Sequence, residues 1–189
     1  MSNITKYAIL DAFNKLLKTK AFSKIKISDI TKECGISRMT FYYHFDDIYD
    51  MIDWALEEKM RAAVDKNFTY ATWRQGFTSV FEACLGEKAF FLKVFPSIDL
   101  RKIEMYLSDI ARGFILHVID EKLEDMQIKI SEESKKTVCE IYGYAIVGVL
   151  LDWISKGMKE TPSAVVNRFG AIIRGSLKLY LEQAAESEI

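Results

Sequence analysis

The chain has 189 residues, 50% of them hydrophobic, with only two prolines and nine glycines, so helices can run with few interruptions and bury one substantial core plus a small head. The net charge of −1 hides an asymmetry: the first 45 residues carry eight basic against three acidic side chains, a net of +5, leaving −6 for the rest. That is the imbalance of a chain that meets nucleic acid at one end. Met-Ser-Asn-Ile-Thr-Lys-Tyr has no signal-peptide core, and the densest apolar run, Ala145 to Leu151, falls short of a membrane span. Cys34, Cys84 and Cys139 read as buried thiols, and His44 and His117 cannot make a histidine-based metal cluster. The expectation is an all-α, cytoplasmic protein with no metal, no cofactor and no membrane contact.

In chain order, Ile9, Ala12, Phe13, Leu16 and Leu17 repeat at i, i+3, i+4, i+7 and i+8, the stripe of a first helix facing a core. Ile27, Ile30 and Cys34 share one face of a short second helix. Gly35 tolerates the left-handed conformation that ends a helix, and Ser37 can cap the next one. There Phe41 and Phe45 lie one turn apart and pack inward, which turns Met39 and Tyr43 to the opposite side with Arg38, Thr40 and Tyr42 flanking. Two short helices joined by a tight turn, the second with readers on its outer face, make a helix-turn-helix. Arg38 can offer two donors to a guanine edge, and Met39, Thr40 and Tyr43 can meet thymine methyls or neighbouring bases. Tyr42 and His44 can donate to phosphate oxygens.

The run Thr-Phe-Tyr-Tyr-His-Phe at 40 to 45, after Asp-Ile-Thr-Lys-Glu-Cys-Gly-Ile-Ser at 29 to 37, resembles the DNA-binding domain of the TetR family of bacterial regulators. The resemblance implies a three-helix head with the helix-turn-helix at residues 1–50, then a helical ligand-binding and dimerisation domain at 51–189. It puts Arg38, Met39, Thr40 and Tyr43 where base readers sit, and Tyr42 and His44 where phosphate contacts are commonly made. Two departures stand out. Where the family often has Lys or a small polar residue after the Phe, and commonly a Lys two residues on, this chain has Asp46, Asp47 and Ile48. The carboxylates suit a helix N-terminus and repel phosphate, which leaves open weakened DNA binding or a co-regulator acting through a protein partner. The family's usual Thr cap on the second helix is replaced by Lys26 or Ile27, so Ser28 or a water must cap it.

Beyond the motif, Ile48, Met51, Ile52 and Ala55 mark one face of a connecting helix that runs toward Asp65. Thr72 can cap a helix ending near Gly86, and Ala89 to Phe95 makes a short apolar helix stopped by Pro96. Further helices are expected over about Leu100 to Asp125, from Ser131 to Lys156, and from Pro162 to about Gln183. The stretch Ile141 to Ile154 is apolar nearly all round and needs partners on more than one side. Val147, Leu150, Leu151 and Ile154, with Phe169, Ile172, Ile173 and Leu177 of the last helix, are the candidate dimer interface of a four-helix arrangement. The TetR resemblance implies the same pair, and a homodimer presents two heads to a palindromic operator in double-stranded DNA. The run from Gly143 to Trp153 also resembles the C-terminal domain of a TetR subgroup that includes regulators of dihydroxyacetone kinase genes.

Trp73, Phe81, Phe91, Tyr106, His117 and Tyr142 are the candidate lining of a small-molecule effector site, aromatic bodies with a few polar tips. The same residue types also build cores. The chain shows no nucleophile-base-orienter set, no phosphate-cradling glycine loop and no metal-ligand cluster, so an enzyme is not expected. The function expected is a DNA-binding transcriptional regulator, a repressor released by a small effector.

Overall fold

The computed structural model describes residues 2–63, 69, 71–98 and 100–187, the side chains of 2, 60–63, 100, 102 and 106 excepted. Its helices are α1 (Ser2–Thr19), α2 (Ile27–Cys34), α3 (Arg38–His44), α4 (Ile48–Ala63), α5 (Trp73–Gly86), α6 (Lys88–Val94), α7 (Leu100–Met126), α8 (Glu132–Ser155) and α9 (Pro162–Ser187). Single turns of 3-10 helix lie at Phe22–Lys24 and Phe95–Ser97. No strand occurs among the described residues. The helices stop where local chemistry stops them. Pro96 lies in the 3-10 turn that ends α6, the Ser131 hydroxyl accepts the Ser134 N–H at 3.1 Å to open α8, and Thr161 accepts the Ala164 N–H at 3.3 Å ahead of Pro162.

The chain divides into two compact units. The first is formed by residues 1–61 and 87–100. Ile9, Leu10, Ala12, Phe13 and Leu17 of α1 are buried, as are Ile30, Phe41, Phe45, Met51, Ile52, Ala55 and Leu56. The α6 helix adds Phe90, Phe91 and Val94 to the same core. Phe13 meets Phe22 and Phe90 edge-on, with ring centroids 6.1 and 6.3 Å apart. Lys93 donates its ammonium to the Leu17 carbonyl, filling an acceptor that the end of α1 leaves free. Lys59 of α4 pairs with Glu87 at 3.0 Å. Sequence distance conceals this arrangement, since 87–100 follows a helix of the other unit.

The second unit, residues 62–86 and 101–189, sets α5 beside α9 with α7 and α8 completing the core. Gly170 permits the close approach of α5 and α9: a Cβ built there would lie 2.7 Å from Trp73 Cη2 and 3.3 Å from Arg74 Nε. Around it Trp73, Phe77, Phe114 and Phe169 stack edge-on or tilted, at centroid distances of 5.0 to 6.4 Å. Phe81 lies 5.1 Å from Trp153, whose indole N–H donates to the Glu160 carbonyl at 3.0 Å. Cys84 and Cys139 are buried free thiols, and Cys34 is half-buried. Burial pushes the Cys84 thiol up to about 12 and the Cys139 thiol to about 11, so neither is a thiolate at neutral pH.

The expectation that no segment reaches the length of a membrane span needs correction. By length and composition Glu132–Ser155 is long and apolar enough to cross one, because the apolar character continues past Ala145 to Leu151 through Val138, Cys139, Ile141 and Tyr142. Its Val138, Cys139, Gly143, Ile146, Val147, Leu150, Trp153 and Ile154 are buried within the chain, as in the core helix of a helical domain.

Candidate nucleic-acid interface

The turn between α2 and α3 is built as the residue types dictate. Gly35 stands at φ 72° and ψ 28°, the left-handed region. Ile36 N–H donates to the Thr31 carbonyl at 3.0 Å, closing the turn that follows α2. Ser37 then caps α3, its hydroxyl accepting the Thr40 N–H at 3.0 Å. The cap of α2 differs from the expected one. Ser28 does not supply it; the Asp29 carboxylate accepts the Lys26 N–H at 3.1 Å, while the Asp29 N–H donates to the Lys26 carbonyl at 2.9 Å. An acceptor three residues past the cap is the reaching half of a capping box, and an aspartate serves there as well as a glutamate. That amide contact, seconded by Lys20 at 3.3 Å, holds the Asp29 carboxyl below the usual carboxylate range.

Phe41 and Phe45 point inward, at 0% and 2% exposure. Two residues of opposite phase therefore face out: Met39 and Tyr43 are each 83% exposed. Arg38 and Tyr42 are exposed beside them, and Thr40 and His44 are half-buried. The Thr40 hydroxyl is shared with Ser37 at 2.8 Å, and the His44 ring lies edge-on to Tyr43 with centroids 5.0 Å apart. Arg38, Met39, Tyr42 and Tyr43 thus form one open surface of guanidinium, thioether and phenol groups. Thr40 and His44 sit at its edge, tied to neighbours.

The acidic residues after α3 have a local structural role. Asp50 N–H donates to Asp47 Oδ1 at 2.8 Å, and Asp46 N–H donates to Asp50 Oδ2 at 2.9 Å. Asp47 therefore caps α4, and its carboxylate complements the helix dipole. The Asp46 side chain accepts no hydrogen bond among the described residues. Asp47→Ala should lower stability by about 1 kcal/mol, whereas Asp46→Asn should change it by less than about 0.5 kcal/mol. Urea denaturation of the two variants checks the contrast, and equal losses would refute this division of labour.

At the other end of α1, Lys6 Nζ lies 4.8 Å from the Phe45 ring centroid and 5.3 Å from that of Trp54. Tyr7 meets Trp54 edge-on at 5.2 Å and donates its hydroxyl to Glu58 Oε2 at 2.6 Å. These contacts hold the start of α1 against α4 and the residue that closes α3.

The effector candidates divide. Trp73 and Tyr142 line a cavity of about 30 Å³ together with Phe77, Phe114, Ile146 and Arg174, and the Tyr142 hydroxyl is hydrogen-bonded to Ser176 at 2.7 Å. Phe81 packs on Trp153, Phe91 belongs to the first unit beside Phe90, and His117 is exposed. The Tyr106 side chain lies outside the described residues. The dimer candidates divide as well. Val147, Leu150, Ile154 and Leu177 are buried in the chain's own core; Leu151, Phe169 and Ile173 are half-buried, and Ile172 is 69% exposed. The apolar surface that α8 and α9 leave open instead includes Ile141 and Tyr144, each 58% exposed, and Leu179, 55% exposed. Gly148 and Gly175 are exposed on the same helices, with nothing near a Cβ built on either.

Comparison with known proteins agrees with this geometry. Residues 9–53 match the family described as bacterial regulatory proteins, tetR family, and residues 71–175 match a transcriptional regulator C-terminal region of the TetR type. The chain is 25% identical over 175 residues, 92% of each chain, to the HTH-type dhaKLM operon transcriptional activator DhaS of Lactococcus lactis. It is 30% identical over 129 residues to an uncharacterised HTH-type transcriptional regulator of Haemophilus influenzae, covering 57% of this chain and 62% of that one. A solved structure of the dihydroxyacetone kinase operon activator DhaS shares the fold with a TM-score of 0.74 at 21% identity, over 94% of this chain and 98% of that chain. With matched segments at both ends of the molecule, and the C-terminal one alone spanning more than half of it, the chain belongs to the TetR family of bacterial transcriptional regulators.

Proposed function

We propose that two copies of this chain bind a palindromic duplex in the cytoplasm, each laying α3 in a major groove, and that the bound dimer represses transcription until a small effector releases it. The observation that carries the reading is the outward face of α3, where Arg38, Met39, Tyr42 and Tyr43 are exposed while Phe41 and Phe45 fix the helix from behind. Arg38 in the first turn is the guanine reader, Met39 and Tyr43 meet base edges, and Tyr42 donates to phosphate, with Thr40 and His44 at the rim. A palindrome needs two heads related by a twofold axis. The exposed apolar side chains of Ile141 and Tyr144 on α8 and of Ile172 and Leu179 on α9 support pairing through these two helices.

The effector enters at the cavity of Trp73 and Tyr142. At about 30 Å³ it has room for about two waters, whereas drug-sized ligands occupy pockets of about 300 Å³ or more. Uptake therefore requires these side chains to move, so that the effector favours one conformation over the other. A co-regulator acting through a protein partner is not favoured, because Asp47, half of the acidic pair that suggested it, acts as the cap of α4.

Activation is the second reading, favoured by the similarity over 92% of each chain to a protein named as a transcriptional activator. Selecting bound fragments from genomic DNA and then transcribing the selected promoter in vitro tests both readings. A wild-type protein that enriches no fragment at low salt refutes the DNA-binding reading; transcription that falls on addition supports repression, and transcription that rises supports activation. On the selected site, Arg38→Ala should cost about 1–3 kcal/mol and relax one base position. Fluorescence anisotropy across single-base variants of the site measures both effects, and an unchanged preference at every position would remove Arg38 from the readers.

A further inference from the structure

The ammonium groups of the first unit are unequally committed. Lys15 pairs with Glu33 at 3.8 Å and Lys20 with Asp29 at 3.3 Å, while Lys6 lies over two aromatic rings. Lys18, Lys24, Lys26 and Lys32 are exposed, and their ammonium groups make no hydrogen bond or ion pair among the described residues; of these, Lys24 ends the 3-10 turn before α2 and Lys26 is the N-cap of α2. Asp29 accepts the backbone amide of Lys26 and pairs with Lys20 at 3.3 Å, and the Lys26 charge acts on it only at longer range, without an ion pair. The opposite situation holds at the start of α4, where Asp46, Asp47 and Asp50 are exposed and the carboxylates of Asp47 and Asp50 accept the backbone N–H groups of Asp50 and Asp46. Phosphate is repelled at that end and receives no free N–H from the capped positions.

In a helix-turn-helix the first helix of the motif crosses the DNA backbone while the second enters the groove. Resting on the DNA-binding reading above, we infer that Lys24 and Lys26 are the phosphate anchor of each head, carrying in the approach to α2 the charge contacts that the acidic start of α4 cannot make. Both side chains act as point charges on flexible stems, so they fix the head on the duplex without reading bases. Arg38 then supplies selectivity and the lysine pair supplies the salt-dependent part of the affinity, each separable from the other by experiment.

The test is a salt titration of duplex binding by wild-type protein, Lys24→Gln/Lys26→Gln and Lys24→Arg/Lys26→Arg, using a selected genomic fragment and a random duplex. The slope of log K against log salt should flatten by about 0.9 for each lysine lost, or about 1.8 per head, in the glutamine variant. Affinity for the two duplexes should fall by the same factor, and the arginine variant should keep the wild-type slope. Circular dichroism melting shows whether the head remains folded, and Lys24→Gln and Lys26→Gln taken singly each give half the effect if the double variant does not. A wild-type slope retained in the glutamine variants overturns the anchor while leaving DNA binding intact. Unequal losses on the two duplexes overturn it too, since they would make these lysines readers. A wild-type protein that binds neither duplex overturns the DNA-binding reading itself.

Discussion

Phe41→Ala is expected to remove about 3–5 kcal/mol of folding stability and to abolish operator binding. Phe41 is fully buried, with the rings of Tyr42 and Phe45 each 5.9 Å from its own. It is also the buried residue of a seven-residue helix. A helix that short does not persist in water by itself, so the side chain that secures it to α1 and α2 also sets the angle at which Arg38 and Tyr43 are presented. Truncation therefore costs transferred apolar area, leaves a cavity, and frees the reading face. Denaturation followed through tryptophan fluorescence, to which Trp54 contributes from 5.6 Å beside Phe45, measures the loss. Tyr43→Ala, on a side chain 83% exposed, should cost less than about 0.5 kcal/mol in the same assay. A Phe41 variant within 1 kcal/mol of wild type would show that α3 is held by something other than its inward ring.

Ile172→Glu is expected to convert a dimer to a monomer. In a single chain Ile172 is 69% exposed, so a carboxylate there meets water and leaves the fold of that chain intact. Across a twofold interface it would be buried without a counter-charge, twice, at a cost of several kcal/mol for each burial. Leu177→Glu is a poor substitute, because Leu177 is 4% exposed in its own core and the change would unfold the chain whatever its assembly. Light scattering at micromolar concentration gives the answer. A wild-type monomer, or an Ile172 variant of unchanged mass, would remove α8 and α9 from the assembly.

How much the sequence reveals depends on how many constraints coincide. The turn and α3 are legible because Gly35, Ser37 and the Phe41–Phe45 spacing each demand the same geometry, and satisfying all three by accident is rare. The cap of α2 was there to be read as well: Lys26-Ile-Ser-Asp29 places an acceptor at the capping-box position, a signal overshadowed by the nearer Ser28. The face of α8 is another matter. Ile141, Tyr144, Val147 and Leu150 are alike in apolar character, and a helix that is apolar all round carries no periodicity to say which side turns inward. Packing against neighbouring helices buries Val147 and Leu150 and leaves Ile141 and Tyr144 open. The aromatic candidates for an effector site fail for a similar reason. A phenyl ring is equally suited to a core and to a cavity wall, and Phe81 finds Trp153 while Trp73 finds a cavity.

Gly170 has a consequence for how this protein can change over generations. With a Cβ at 170 already 2.7 Å from the Trp73 ring, and that ring packed against Phe77 and Phe169, a descendant that gains a side chain at 170 must displace the indole at 73 or replace it. The two positions are therefore inherited as a pair: an indole opposite hydrogen, or a displaced indole or smaller residue at 73 opposite a methyl or more at 170. Because Trp73 also walls the cavity, a lineage that enlarges residue 170 reshapes that cavity in the same step, and drift at a helix contact becomes a route by which relatives acquire different ligands.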